Sequence, residues 1–337
     1  MQLKKNLPAV ILWCSPAAII LTIVLSIMYG AKDIDSATLW DALVHFDPGN
    51  VNHQIVVNSR LPRVIGALLI GAFLAISGAI MQGMTRNYLA SPSIMGVSDG
   101  SAFAITVCMI WLPNSSSIEM ILYSFVGSAL GAGIVFGLAW LLPGGMSPVR
   151  LAIIGTIIGT FLSSFSAAIS TYFQISQSIS FWYNARLHQM DPHLIKLALP
   201  FGLAGIIAAL LISRSITILS LGDEISAGLG QRTTAVKAAA ALTVVVLTGV
   251  SVALAGKIGF VGLIIPHITR FLIGGIDYKW IIPCAGVLGA VFLGLSDVLS
   301  RFLNYPFETP IGVVTSVIGV PFFLYLARTR GGGKHAS

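Results

Sequence analysis

The chain has 337 residues, of which 56% are hydrophobic and 9% charged, and its mean hydropathy is +0.91. Soluble globular chains carry about 25% charged residues, so the composition excludes a soluble enzyme or binding domain and indicates a membrane protein. The formal net charge is +7, but Lys and Arg are scattered rather than clustered, which fits anchoring and topology better than nucleic-acid binding.

A bilayer core needs about 20 apolar residues per helical span, so this length holds roughly ten spans and no separate soluble domain. The chain reads as a single all-α polytopic domain over residues 1–337, with 331–337 expected to be a disordered tail. Apolar runs fall at 9–30, 61–84, 93–112, 120–142, 149–172, 195–213, 236–256, 258–275, 280–302 and 309–328. The first follows Lys4 and Lys5 much as in a signal peptide. It is long enough to span, however, and no small-residue cleavage site follows, so it is expected to stay as the first helix. Ten spans put both ends on one side. The positive-inside rule assigns that side to the cytoplasm, with 12 Lys and Arg inside and 7 outside.

The first external segment, 31–59, carries Asp33, Asp35, Asp41, Asp47, His45 and His53; two histidines eight apart in such a loop read as solvated groups, not as a metal site. Cys14, Cys108 and Cys284 have neither metal-ligand nor disulfide spacing. Glycines stand four apart at Gly127 and Gly131, Gly133 and Gly137, and Gly155 and Gly159, a spacing that lets membrane helices approach closely. The stretch 67–78 resembles 245–256 at a leucine, two glycines and an alanine. These are the second and seventh spans and cross in opposite directions, as inverted repeats of transporters do.

Ionisable groups within the spans are few: Asp99, Asp297, and His267 after Pro266. The histidine is expected to pack against a neighbour or serve a carbonyl rather than ligate a metal. No chain of carboxylates suggests a proton relay, so the driving energy is expected from a soluble partner. Leu221 to Gly230 is a polar island between apolar runs, on the cytoplasmic side. Asp223, Glu224 and Ser226 suit the first turn of a short helix, and Gly228 and Gly230 suit its end. Such a helix would lie flat on the membrane with one face open to a partner. The chain has no phosphate-binding loop of its own.

Several motifs then resemble one family. Arg60-Leu61-Pro62-Arg63, Gly78-Ala79-Ile80-Met81-Gln82, Asn87-Tyr88-Leu89-Ala90-Ser91-Pro92 and Gly96-Val97-Ser98-Asp99-Gly100 look like the amino half of the iron-siderophore and cobalamin ABC importer permeases (FecCD-type). Leu221-Gly222-Asp223-Glu224, Gly256 through Leu263, Pro266-His267, Asp297, Pro310 through Thr315 and Gly319 through Phe323 follow in family order. The likeness covers about residues 50–330.

This resemblance implies a type II ABC importer permease fold of about ten helices. The permease would pair with itself or a related chain. Two cytoplasmic ATPases would hold ATP and Mg, and an extracytoplasmic binding protein would deliver a ferric siderophore, hydroxamate-like rather than heme or cobalamin. The permease would bind no cofactor or metal directly and have no catalytic residue. ATPase coupling falls to Leu221, Gly222, Asp223, Glu224, Ala227, Leu229 and Gly230. Docking of the binding protein falls to Arg60, Arg63 and Arg301, and the cytoplasmic gate to Asn87, Leu89, Ser147 and Pro148. Tyr88 stands where the family commonly has proline, and Trp182 through Arg186 departs from a Gly-rich pattern. The reading from another class is a secondary transporter driven by an ion gradient, which predicts coupling carboxylates at mid-membrane.

Overall fold

The computed structural model describes every residue except 1, 31, 93–95, 143–147, 185–186, 188–189, 305–306 and 332–337. The chain opens with α1 (Gln2–Met28). The external segment then folds into α2 (Ser36–Val44) and the single turn α3 (Val51–Gln54), and a π-helical stretch, Ile55–Arg60, feeds α4 (Leu61–Thr85). Asp35 caps α2 by accepting hydrogen bonds from the backbone and hydroxyl of Thr38, and these hold its carboxyl below the usual carboxylate range.

The two histidines are not equivalent loop residues. His53 is buried, its Nδ1 accepting the Asp47 backbone N–H at 3.1 Å. Its Nε2 lies 3.4 Å from the Asp41 carboxylate, which also stands 3.3 Å from His45 Nδ1. Only His45 is solvated as expected; His53 staples the external segment together.

Then follow α5 (Val97–Trp111), α6 (Ser117–Leu141), α7 (Pro148–Tyr172), α8 (Ser176–Asn184) and α9 (Pro192–Leu219). A reciprocal capping box between Ser116 and Glu119 starts α6. The chain ends with α10 (Asp223–Gly228), α11 (Thr233–Ala255), α12 (Val261–Ile273), α13 (Tyr278–Ser300) and α14 (Ile311–Gly331). Seven helices are long and apolar enough to cross a membrane, and Val97–Trp111, Val261–Ile273 and Ile311–Tyr325 are shorter apolar helices. Each of the ten apolar runs in the sequence therefore has its helix.

Helix α4 is the hub, with 20 of its 25 residues buried, and it packs on α13, α11, α12 and α9. The contacts are close because small residues meet. A methyl group added at Gly78 would stand 1.8 Å from the Gly262 carbonyl oxygen, so only glycine permits this approach of α4 to α12. Of the three predicted glycine pairs, the two on α6 differ from each other. Gly127 and Gly131 on α6 face Gly100 on α5 at similarly short range, whereas nothing lies within 4 Å of a methyl at Gly133 or Gly137. These last two do not pack helices; they line an open groove of about 700 Å³ between α6 and α11.

The suspected repeat has a structural counterpart. Helix α4 packs on α12 and α13, and α11 packs on α5 and α6. The third and eighth spans, α5 and α12, are both short, and each starts from a left-handed residue, Gly96 (φ 72°) and Phe260 (φ 67°). The corresponding spans of the two halves are thus both short and begin alike.

Candidate functional site: a helical knob, an arginine network and an ion pair between two short helices

Helix α9 ends at Leu219, and Gly222 at φ 127° turns the chain into α10. A side chain there would be strained. Ser226, fully buried, donates its hydroxyl to the carbonyls of Ile218 (2.9 Å) and Gly222 (2.6 Å). Asp223 pairs with Lys237 of α11 at 2.8 Å, and Gln231 donates to the Ser215 carbonyl at 3.0 Å. The short helix is therefore tied to both α9 and α11 and moves with them. Its outer face carries exposed Leu221, Ile225 and Leu229 at helical spacing beside exposed Glu224 and Ala227. Exposed apolar side chains grouped at a polar end mark a docking surface. Of the predicted coupling residues, Gly222 and Asp223 shape and tether the knob, and Leu221, Glu224, Ala227 and Leu229 face outward. Gly230, at φ 79°, ends it. Ile225 was not among the predicted residues, although the i, i+4, i+8 spacing with Leu221 and Leu229 was there to be read.

The end of α4 reaches this knob. Arg86 caps α4 in a left-handed conformation, and its guanidinium lies 3.3 Å from where a methyl at Gly222 would stand. In the turn that follows, Asn87 Oδ1 accepts the Leu89 N–H at 2.9 Å, and Leu89 is exposed. The ring of Tyr88 lies 4.5 Å from the Arg270 guanidinium of α12, a cation–π contact that gives its departure from proline a local role. Arg270 also donates to Gln82, whose amide donates to the carbonyls of Gly262 and Leu263. Of the other predicted gate residues, Pro148 opens α7 and Ser147 lies outside the described residues, as do Ala185 and Arg186. His267 packs edge-on against Phe322 at 5.7 Å between ring centroids.

At the opposite end Arg60, Arg63 and Arg301 are buried, at 7%, 7% and 5% exposure, and the last two enclose Asp297 at 1%. Arg63 grips Asp297 at 2.8 Å and Glu308 at 2.8 Å. Arg301 pairs with the same Asp297 and donates to Ser26 and to the carbonyl of Tyr29. Arg60 donates to the carbonyls of Ile27, Met28 and Lys32. The three therefore join α1, α4, α13 and the loop before α14 rather than presenting free charge outward. Buried guanidiniums need partners, and this chain supplies them from its own residues.

A further ion pair is more open. Lys257 Nζ stands 3.3 Å from Asp99 Oδ1. It joins the segment before α12 to the first turn of α5, the two short spans.

Against known proteins, the FecCD transport family matches residues 18–329. The iron-uptake system permease protein FeuB of Bacillus subtilis is 63% identical over 98% of this chain and 99% of its own length. The iron(3+)-hydroxamate import system permease protein FhuB of the same organism is 52% identical over 92% and 80%. Among solved structures, an inward-facing metal-chelate type ABC transporter superposes with a TM-score of 0.83 at 27% identity, covering 96% of this chain and 99% of that one. Ten apolar helices in the expected order, a tethered helical knob and a match along nearly the whole length lead to one assignment: the chain belongs to the FecCD transport family.

Proposed function

We propose that this chain is the membrane-spanning permease subunit of an ABC importer that carries an iron(III)–siderophore complex into the cytoplasm. It is a transport subunit and not an enzyme; ATP hydrolysis belongs to two separate cytoplasmic ATPases. A second permease, identical or related, completes the path, and an extracytoplasmic binding protein delivers the chelate at the end where α2 and α3 lie. Both termini are cytoplasmic.

The observation that carries this reading is the geometry of α10. A helix fixed to α9 and α11 by Ser226, Asp223 and Gln231, yet open to the outside through Leu221, Ile225 and Leu229, has the form needed to receive a displacement and pass it on. A loose loop would absorb the same displacement. Arg86 beside Gly222 brings the hub helix into the same motion. Docking of the binding protein must respect the internal pairing of Arg60, Arg63 and Arg301, since a partner carboxylate would have to compete with Asp297 and Glu308.

The test is Ile225→Asp. The side chain is exposed in the permease alone, so its folding is unchanged. Burying an isoleucine in an ATPase groove contributes about 1.5–3 kcal/mol, so the substitution is expected to weaken ATPase co-purification by about tenfold or more and to abolish ATP-driven iron uptake in proteoliposomes. Undiminished ATPase association, or uptake driven by an ion gradient in the absence of any ATPase, would overturn the reading.

A further inference from the structure

Between the segment preceding α12 and the outer half of α14 lies a cavity of about 890 Å³, lined by Lys257, Pro310, Val313, Ser316, Val317 and Pro321 among others. Its depth can be read from its neighbours. The Lys257 carbonyl lies 3.7 Å from a methyl built at Gly312, near the start of α14, and the Asp99 carboxylate lies 2.6 Å from a methyl built at Gly159, at the middle of α7. The Lys257–Asp99 pair therefore sits within the membrane, where an ionisable group is costly unless it faces water or a substrate path. Lys257 keeps 58% of its side chain exposed while Asp99 keeps 16%. The lysine thus reaches from its more sheltered partner into open space. An ammonium has three N–H donors; among the described residues Asp99 accepts from it at 3.3 Å, longer than a tight charge-assisted bond. The pair also lies where the short spans of both halves begin, the place where transporters built from inverted repeats hold their cargo.

We infer that this cavity is this chain's share of the cargo path, and that Lys257 selects ferric chelates of net negative charge. The inference rests on the importer reading and narrows its cargo. Hydroxamates, singly charged, cancel the charge of Fe(III) and leave a neutral complex. Catecholates, doubly charged, leave a strongly negative one. A cation in a low-dielectric path favours the second over the first, and Asp99 holds the ammonium in place between cargoes without burying it. The walls other than Lys257 and Ser316 are largely apolar and suit the aromatic rim of such a chelate. Val313, Val317 and Val320 remain exposed, so the open side of the cavity is the side a second permease would close.

The experiment uses the complete importer, permease with its ATPases and binding protein, in proteoliposomes. It follows ATP-driven uptake of two iron-labelled probes, a ferric tris-catecholate and a ferric trihydroxamate. Wild type is expected to favour the catecholate. Lys257→Gln should cut catecholate uptake about tenfold and hydroxamate uptake less than about twofold, and Lys257→Arg should restore the preference. Asp99→Asn breaks the same ion pair but leaves the cation, and should hold or raise the preference. A preference that falls in both Lys257→Gln and Asp99→Asn would make the pair a structural tie and overturn the inference. So would equal loss of both probes, a wild type that prefers the hydroxamate, or dissociation of the permease pair in Lys257→Gln. If wild type carries neither probe, the importer reading falls first and takes this inference with it.

Discussion

At the scale of single residues, Asp297 shows how much one carboxylate can organise. It sits at 1% exposure between Arg63 and Arg301 and so neutralises charge contributed by α4 and by the end of α13. Removing one partner from a buried ion pair costs about 3–5 kcal/mol, because the remaining charge is left without compensation. Asp297→Asn is therefore expected to lower the unfolding temperature and the folded yield of the detergent-solubilised permease markedly. Substituting the whole Arg63–Asp297–Arg301 set with apolar residues of similar volume should cost less than this single change. An unaltered melting profile for Asp297→Asn would show that water or lipid headgroups, not Asp297, satisfy the guanidiniums. The same logic constrains the arginines themselves. A charge reversal at Arg63 would disrupt the fold before it could report on docking, so docking has to be probed from exposed positions of α2 and α3. Nothing near Arg63 in the chain forecasts this: its partner stands 234 positions away, and only tertiary structure brings the two together.

At the scale of elements, glycine spacing was a good guide to helix contact in some places and misleading in others. Gly127–Gly131 and Gly133–Gly137 look alike in sequence and lie on the same helix, α6. The first pair turns toward α5 and the second toward an open groove, because which face of a helix is covered depends on neighbours that the spacing does not name. Gly78→Ala puts a methyl 1.8 Å from a backbone oxygen of α12, which must shift the two helices apart at a cost of about 1–3 kcal/mol or more. Gly137→Ala meets nothing within 4 Å and gains about 1 kcal/mol of helix propensity. Thermal unfolding should therefore fall in the first variant and hold or rise in the second. Equal effects would mean that α4 and α12 do not approach as closely as described. The coupling element was far more legible. Its polar residues interrupt an otherwise apolar pattern, and glycine stands at both turns that need positive φ, Gly222 and Gly230. What the sequence did not disclose was which side of that turn of helix is tethered, since Ser226 and Asp223 find their partners on α9 and α11.

At the scale of the whole molecule, hydropathy alone marked all ten apolar helices, because lipid requires each span to satisfy its own backbone and so leaves a local signature. The path for cargo left no such signature; it depends on Lys257 and Asp99, from opposite halves of the chain, meeting between the short spans α5 and α12. Orientation joins these two levels, since the knob at α10 and the external helices α2 and α3 must lie on opposite faces for ATP-driven import to work. The excess of Lys and Arg on the side of α10 predicts that face to be cytoplasmic. Cysteines placed at Ala37, exposed next to the start of α2, and at Lys279, exposed in the first turn of α13, can test this directly. Of the three native cysteines, Cys284 is buried and Cys14 lies within the apolar span of α1, where a water-soluble maleimide has no access, and the half-buried Cys108 in the last turn of α5 is first replaced by serine. In intact cells Ala37→Cys should label with an impermeant maleimide, and Lys279→Cys should label only after the membrane is opened. The reverse pattern would place α10 outside, out of reach of any ATP-hydrolysing partner, and α10 could then have no part in coupling.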